Sequence, residues 1–405
     1  MDLRITPAKL AGSVEVPPSK SVAHRMIIAA ALAKGTSVID RLYPSVDILT
    51  TLDAVKALGA QVEYSRGKAV ITGIEEAVKE AVIDCRESGS TLRFMIPVAA
   101  ALGVKTTFLG RANLPKRPIT PYLEELPRHG IKFDYNNTMP FTISGRLTGG
   151  EFRVDGGISS QFITGLLLAL PLTGEESSVR LTSHLQSKPY VDITIGAMKD
   201  FGCEVREEEW GYSLRAAQSY APFNGAVEGD HSQGAFFKVA DSLGSQVDIQ
   251  GLNVNSFQGD KKIIEICEEI VYNKSGMVLD CSDIPDLVPV LSVLFSFCEG
   301  KSSITNVARL RIKESDRLAA MEENLNRLGG KVKAFEDRLE IEGVDMLEGG
   351  ADVDCFVDHR IAMSMAIAAT RCKKPIILRG AECVSKSYPD FWQVYRSLGG
   401  IAEEI

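Results

Sequence analysis

The chain has 405 residues, 45% hydrophobic and 24% charged, with a formal net charge of −8. That length predicts two domains, and the acidity argues against general nucleic-acid binding while leaving room for a local cationic cluster around a small anion. No apolar run reaches the roughly 18 residues that span a bilayer. The opening Met1-Asp2-Leu3-Arg4 has neither the apolar core of a secretion signal nor the Arg/Ser bias of a transit peptide. The eight cysteines show no CxxC spacing and no Cys/His cluster. Buried free thiols in a reducing cytosol are expected, with no metal.

In chain order, two kinds of helix alternate. The first kind opens with polar residues and is then apolar on nearly every face: Ser21–Ala33, Ser90–Leu102, Ser160–Leu170, Asp286–Phe297 and His359–Thr370. A helix apolar all round is buried. The second kind is amphipathic and ends in a glycine followed, two or three residues on, by an apolar strand start. It recurs at Leu52–Gly59, Leu123–Gly130, Ile195–Gly202, Glu323–Gly330 and Trp392–Gly399. The glycines at 59, 130 and 202 are spaced by 71 and 72, and those at 330 and 399 by 69. Each suits a left-handed position just past a helix. The gap from 202 to 330 holds one more helix, Lys261–Ile270, without the expected glycine near 271.

Six units of about seventy residues, one degenerate, predict an α/β protein of two domains with three αβ units each. Buried helices and strand-rich segments outside them make each domain an inverse α/β barrel. The boundary is read at Val227-Glu228-Gly229-Asp230, with three units on either side.

The polar helix openings carry cations. Lys20, Arg25, Arg93, Lys313, Arg317, Arg360 and Lys386 all fall at or near predicted helix starts, where the macrodipole disfavours positive charge. Free N–H groups together with Arg and Lys make anion sites. A ligand with several phosphate or carboxylate groups is expected. Ser19 is the expected N-cap of the first helix, and Ser21 and Arg25 share a face.

Seven motifs resemble the signature set of the EPSP synthase (3-phosphoshikimate 1-carboxyvinyltransferase) family. They are Pro17-Pro18-Ser19-Lys20-Ser21-x-x-His24-Arg25, Gly89-Ser90-Thr91-x-Arg93, Lys116-Arg117-Pro118-Ile119, Ser159-Ser160-Gln161, Ser187-Lys188-Pro189-Tyr190, Lys313-Glu314-Ser315-Asp316-Arg317 and Asp358-His359-Arg360. The resemblance implies parallel helices whose N-termini face an interdomain cleft, and a chain that crosses between domains twice, so that one domain covers 14–226 and the other 227–405 with residues 1–13. Cations and helix dipoles facing each other across that cleft predict that it closes on anionic substrates. It also implies transfer of the enolpyruvyl group of phosphoenolpyruvate to the 5-hydroxyl of shikimate 3-phosphate, without metal or cofactor. Matched to the shikimate 3-phosphate site are Lys20, Ser21, Arg25, Ser159, Ser160, Gln161, Ser187, Tyr190, Asp286 and Lys313. Matched to the phosphoenolpyruvate site are Lys20, Gly89, Arg117, Gln161, Arg317, Arg360 and Lys386. Asp286 is the expected base toward the hydroxyl, with Glu314 and Lys20 sharing proton delivery and return; His359 stands beside Arg360 as a structural or a catalytic histidine. A small-molecule enzyme acting as a monomer is expected, with no nucleic acid and no membrane.

Two positions depart from the pattern. Arg309-Leu310 stands where many relatives carry Asn and an aromatic, and Glu87-Ser88 precedes Gly89 where Asn-Ala is common. A sister transferase acting on UDP-N-acetylglucosamine would share the fold and the donor but carry a reactive cysteine in the loop that here reads Lys116-Arg117-Pro118. A non-catalytic phosphometabolite-binding protein would not need both Asp286 and Glu314.

Overall fold

The structure, a computed structural model, describes residues 1–405. It divides into two compact units: Pro18–Glu228, and Met1–Pro17 together with Gly229–Ile405. The divisions fall a few residues from the sequence boundaries because strand Ala11–Glu15 pairs in parallel with Gln246–Gln250, and Val16 N donates to Gln250 O at 3.1 Å. Those bonds keep the chain in the second body as far as Pro17.

Within Pro18–Glu228 one pattern recurs three times. A buried helix connects two parallel strands, then an amphipathic helix and an antiparallel hairpin complete a four-stranded sheet. The clearest copy orders its strands Glu80–Asp84, Lys105–Leu109, Phe141–Gly145 and Ile131–Asp134. Alternation decides which face is covered: Thr106 and Phe108 are buried while Lys105 points to solvent. A second copy uses Gly150–Val154, Ser177–Leu181, Gly211–Leu214 and Arg206–Glu208. The first copy borrows its parallel edge from the far end of the unit, where Asn224–Ala226 pairs with Thr36–Asp40. Helices Lys20–Leu32, Gly89–Leu102 and Ser160–Ala169 lie inside, buried over most of their length. The inverse α/β barrel expected from the two helix types is therefore observed within the unit.

The other unit has two four-stranded sheets and a third of only two strands. The poor sheet belongs to the degenerate repeat, which lacks a hairpin. Its buried helix is His231–Ser242, and its amphipathic helix Ile263–Asn273 ends on Lys274 at φ 55°. A lysine thus holds the left-handed position where glycine was expected. In the next repeat the left-handed residue is Gly329, at φ 90°, not Gly330. The sequence reading was off by one because either glycine of the pair satisfies the spacing.

The expected buried helix at Ser90–Leu102 is observed as Gly89–Leu102 and runs through Pro97. Proline removes a donor, so the Arg93 carbonyl loses its partner one turn back; the Tyr122 hydroxyl, 2.7 Å away, donates to it instead. Asp286 does not open an α-helix but sits in the 3-10 turn Pro285–Leu287, ahead of helix Val288–Phe295. Ser19 occupies the N-cap of Lys20–Leu32, yet its hydroxyl makes no capping bond. No helix is long and apolar enough to cross a membrane.

Candidate active site

In the Pro18–Glu228 unit the functional side chains cluster at the N-terminal turns of the buried helices. Arg25 lies one turn into its helix and is 2% exposed. Its Nε donates to Thr194 Oγ1 at 2.7 Å, Nη1 to the Ser21 carbonyl at 2.6 Å, and Nη2 to Thr164 Oγ1 at 3.2 Å and the Tyr190 carbonyl at 2.8 Å. The guanidinium also stands over the Phe94 ring at 5.2 Å. Every one of these acceptors is neutral. Burial accordingly pulls the Arg25 pKa down. A buried cation held only by dipoles leaves an unmet demand for an anion.

Two neighbouring groups are built around Arg93 and Arg117. Arg93 Nη1 donates to Gln161 Oε1 at 2.6 Å and Nη2 to the Pro118 carbonyl at 3.1 Å, and Gln161 Nε2 donates to Ser90 Oγ at 2.9 Å. Gly89 is needed for a reason the sequence did not show. A Cβ there would stand 2.5 Å from Arg117 Nη1, so any side chain displaces that guanidinium. Ser88, at the departing position, caps the helix by accepting from Thr91 N at 3.2 Å. Ser159 caps the Ser160 helix through Gln161 N at 3.3 Å. Ser187 sits before Tyr190 at φ 60° and is buried, as is Ser160. Lys20 Nζ reaches Asp47 Oδ2 at 2.9 Å. Asp47 is a buried carboxylate that sequence reasoning missed; the only hint was its place two residues after the capping Ser45.

In the unit of Met1–Pro17 and Gly229–Ile405 the cations meet carboxylates instead. Arg317, fully buried, donates from Nη1 to Asp286 Oδ1 at 2.9 Å, from Nη2 to Glu314 Oε2 at 3.1 Å and from Nε to Asp358 Oδ2 at 2.8 Å. Arg360 Nη2 reaches Asp286 Oδ2 at 2.9 Å, and Lys386 Nζ lies 3.5 Å from Glu314 Oε1. Five predicted residues, Asp286, Glu314, Arg317, Arg360 and Lys386, therefore form one network with Asp358, which also caps helix His359–Ala369 through Arg360 N at 2.9 Å. Its three carboxylates raise the Arg317 pKa against the cost of burial.

Not every predicted cation sits at a helix start. Lys313 follows the 3-10 turn Ala308–Ile312 and Lys386 ends the 3-10 turn Ala381–Lys386, ends where carbonyls favour a positive charge. Lys313 keeps part of its surface open, yet its surroundings exclude enough water to push its ammonium down to about 7, against the pull of Asp286. Arg309 is nearly buried and donates from Nη2 to the Ser282 carbonyl. His359 is buried beside Asp358. Asp260 was also missed. It accepts a bond from Ser232 Oγ, and burial next to the charge of Asp286 pushes its carboxyl up to about 7. It follows Gln258, whose Oε1 accepts from His231 N at 3.1 Å and whose Nε2 donates to the Gly229 carbonyl at 2.8 Å.

A family model for EPSP synthase (3-phosphoshikimate 1-carboxyvinyltransferase) matches residues 5–395. The chain belongs to the EPSP synthase family. It is 45% identical to the 3-phosphoshikimate 1-carboxyvinyltransferase of Clostridium perfringens strain SM101, covering 99% of both chains. It is 43% identical to the enzyme of that name from Clostridioides difficile strain 630, over 99% of this chain and 98% of that one. The structure of EPSP synthase from Acinetobacter baumannii superimposes with a TM-score of 0.83 at 26% identity, covering 99% of each chain. The enolpyruvyl transferase NikO from Streptomyces tendae shares the fold, with a TM-score of 0.77 at 15% identity over 99% and 98% of the chains.

Proposed function

We propose that this EPSP synthase family member transfers the enolpyruvyl group of phosphoenolpyruvate to the 5-hydroxyl of shikimate 3-phosphate, releasing phosphate. The observation that carries the reading is the Asp286 carboxylate gripped by two guanidiniums, Arg317 and Arg360, at 2.9 Å each. Arginine forks of this kind also fit the carboxylate and phosphate of phosphoenolpyruvate. Anionic substrate competes for both arginines, and Asp286 is released to accept the proton of the attacking hydroxyl. The ion pairs of the ligand-free network thus hold the base in place until its substrate arrives.

Phosphoenolpyruvate is assigned to Lys20, Gly89, Arg117, Gln161, Arg317, Arg360 and Lys386. Shikimate 3-phosphate is assigned to Lys20, Ser21, Arg25, Ser159, Ser160, Gln161, Ser187, Tyr190, Asp286 and Lys313. Arg25 suits the phosphate because nothing around it is anionic. The reaction protonates the methylene carbon and adds the hydroxyl oxygen to the adjacent carbon; the second half takes a proton from the resulting methyl carbon and supplies one to the departing phosphate. Glu314, beside Lys386 and Arg317, is assigned the proton for carbon, with Lys20 sharing its return. Eight thiols, all free, accord with a reducing cytoplasm.

The test is phosphate release from the purified chain given phosphoenolpyruvate with either shikimate 3-phosphate or UDP-N-acetylglucosamine. Release with the first acceptor alone, lost in Lys20→Ala, is the expected result. Release with the nucleotide sugar would overturn the acceptor assignment. Binding without release from either would favour a phosphometabolite-binding protein.

A further inference from the structure

Five of the six buried helices carry, within a turn of their start, a residue matched to substrate: Lys20, Gly89, Ser160, Asp286 and Arg360. The sixth, His231–Ser242 of the degenerate repeat, carries none. Its first turn is nevertheless buried, and its three side chains each reach a different part of the unit. His231 Nε2 donates to the Asn253 carbonyl at 3.0 Å, Ser232 Oγ donates to Asp260, and Gln233 Nε2 donates to Ser387 Oγ at 3.2 Å. Gln233 is held from its own helix as well, because its backbone N–H donates to the capping carboxylate of Asp230 at 3.1 Å.

Ser387 comes directly after Lys386 and closes the 3-10 turn Ala381–Lys386. Ser387 N donates to Val384 O at 3.1 Å, and Tyr388 N to the same carbonyl at 2.8 Å. The hydrogen bonds of a 3-10 turn are poorly aligned, so a turn of this kind depends on support from outside. At its front, Trp392 Nε1 donates to Ala381 O at 2.9 Å. At its back stands Gln233. One turn further along the helix the contact continues, where the Phe237 ring meets the Tyr388 ring edge-on with centroids 6.4 Å apart. Residues four apart lie on one helix face, so Gln233 and Phe237 meet Ser387 and Tyr388 as consecutive rungs. Lys386 itself is buried, with Nζ 3.5 Å from Glu314 Oε1.

We propose that Gln233 is a positioning residue for phosphoenolpyruvate binding: through Ser387 it anchors the turn that presents Lys386. This rests on the assignment of Lys386 to phosphoenolpyruvate above. A lysine ammonium rides on a flexible four-carbon stem, so its direction is set largely by the backbone that carries it. A turn already fixed at Ser387 has little freedom left to lose when the anion arrives, whereas a loose one must be ordered at the expense of affinity. The amide is otherwise a poor choice for this place. Gln233 Oε1 is buried with no hydrogen-bond partner in the protein, and an apolar side chain of similar size would avoid that cost. Packing alone therefore does not call for glutamine; the bond to Ser387 does.

The experiment compares the full chain with Gln233→Leu, Lys386→Met and the double variant. It reads phosphate release at varied phosphoenolpyruvate with saturating shikimate 3-phosphate, and hydrogen exchange of the peptide spanning residues 384–388. Gln233→Leu should raise KM for phosphoenolpyruvate about three- to ten-fold, the factor that one neutral hydrogen bond corresponds to, with kcat within about two-fold. The leucine removes an unsatisfied acceptor together with the bond, so the denaturation midpoint should barely move. Exchange at Ser387 and Tyr388 should quicken by a factor similar to that in KM. With Lys386 already replaced by methionine, Gln233→Leu should leave KM where it is. An unchanged KM in the single variant would overturn the role. So would a KM rise of the same size in the Lys386→Met background, because Gln233 would then act elsewhere. A joint fall in kcat and denaturation midpoint would reduce Gln233 to a packing residue. If the unaltered protein releases no phosphate, the assigned reaction fails, while exchange still decides the anchor: unchanged exchange in Gln233→Leu overturns it.

Discussion

The two units hold their buried arginines in opposite ways. In Pro18–Glu228, Arg25 rests on two threonine hydroxyls and two carbonyls, and Arg93 on the Gln161 amide and the Pro118 carbonyl. In the other unit Arg317 touches three carboxylates. A cation on neutral dipoles retains its appetite for an outside anion. A cation among carboxylates is satisfied, and serves to hold acids and bases in place. Under the proposed reaction, the first surroundings suit binding of the phosphorylated acceptor and the second suit proton chemistry. In the first unit Lys20 does pair with a buried carboxylate, Asp47, and it is the one residue there that is also assigned a proton-transfer role.

The comparison is broken most directly at Asp286. Asp286→Asn keeps the shape and removes the base, so kcat should fall by about 10²–10⁴ while the binding of shikimate 3-phosphate, by titration calorimetry, changes far less. An equal collapse of binding would mean that Asp286 is a recognition group only. Next comes a pair of arginine substitutions read by chemical denaturation. Arg317→Gln removes the cation shared by three carboxylates, leaving Asp286 to Arg360, Glu314 to Lys386 and Asp358 without its guanidinium, and should cost about 3–5 kcal/mol. Arg25→Gln strands only neutral acceptors and should cost about 1–2 kcal/mol, yet it should weaken shikimate 3-phosphate by about 100-fold, the equivalent of about 3 kcal/mol. Equal stability losses would erase the distinction between the units.

A smaller effect concerns Lys313. With its ammonium pushed down to about 7, it is largely neutral at pH 8 and charged at pH 6. A bound phosphate favours the charged form and raises its pKa. Binding of shikimate 3-phosphate at pH 8 should therefore take up close to one proton, and at pH 6 close to none. Calorimetry in buffers of different ionisation enthalpy measures this, and Lys313→Met should abolish the uptake. The smallest effect is structural. Lys274 holds a left-handed φ of 55° at the end of the degenerate repeat, so Lys274→Gly should raise stability by about 0.5–1 kcal/mol, visible as a shift in denaturation midpoint with activity unchanged.

Much of the site was legible because its residues lie in short runs with fixed spacing. Gly89–Arg93 and Asp358–Arg360 each span a helix start, and Lys313–Arg317 leads into one. What escaped were single residues brought in from distant elements. Asp47 joins Lys20 across 27 positions, and Asp260 acts on Asp286 from another turn; nothing local distinguishes either from a surface acid. The reason for Gly89 was also hidden, because it lies in the path of Arg117, 28 residues later in the chain.

The sequence by itself determined the repeat and the two kinds of helix, since these follow from periodicity and spacing along one chain; its candidate reactive groups came from the resemblance of short motifs to the EPSP synthase family. Only the tertiary structure decided which charges are paired. Whether Arg25 meets a hydroxyl or Arg317 a carboxylate depends on side chains brought together from far-apart positions, as Thr164 and Thr194 are around Arg25. The proton affinities of Lys313 and Asp260 follow from burial. Burial and charge pairing are properties of packing in three dimensions, and no pattern along the chain encodes them.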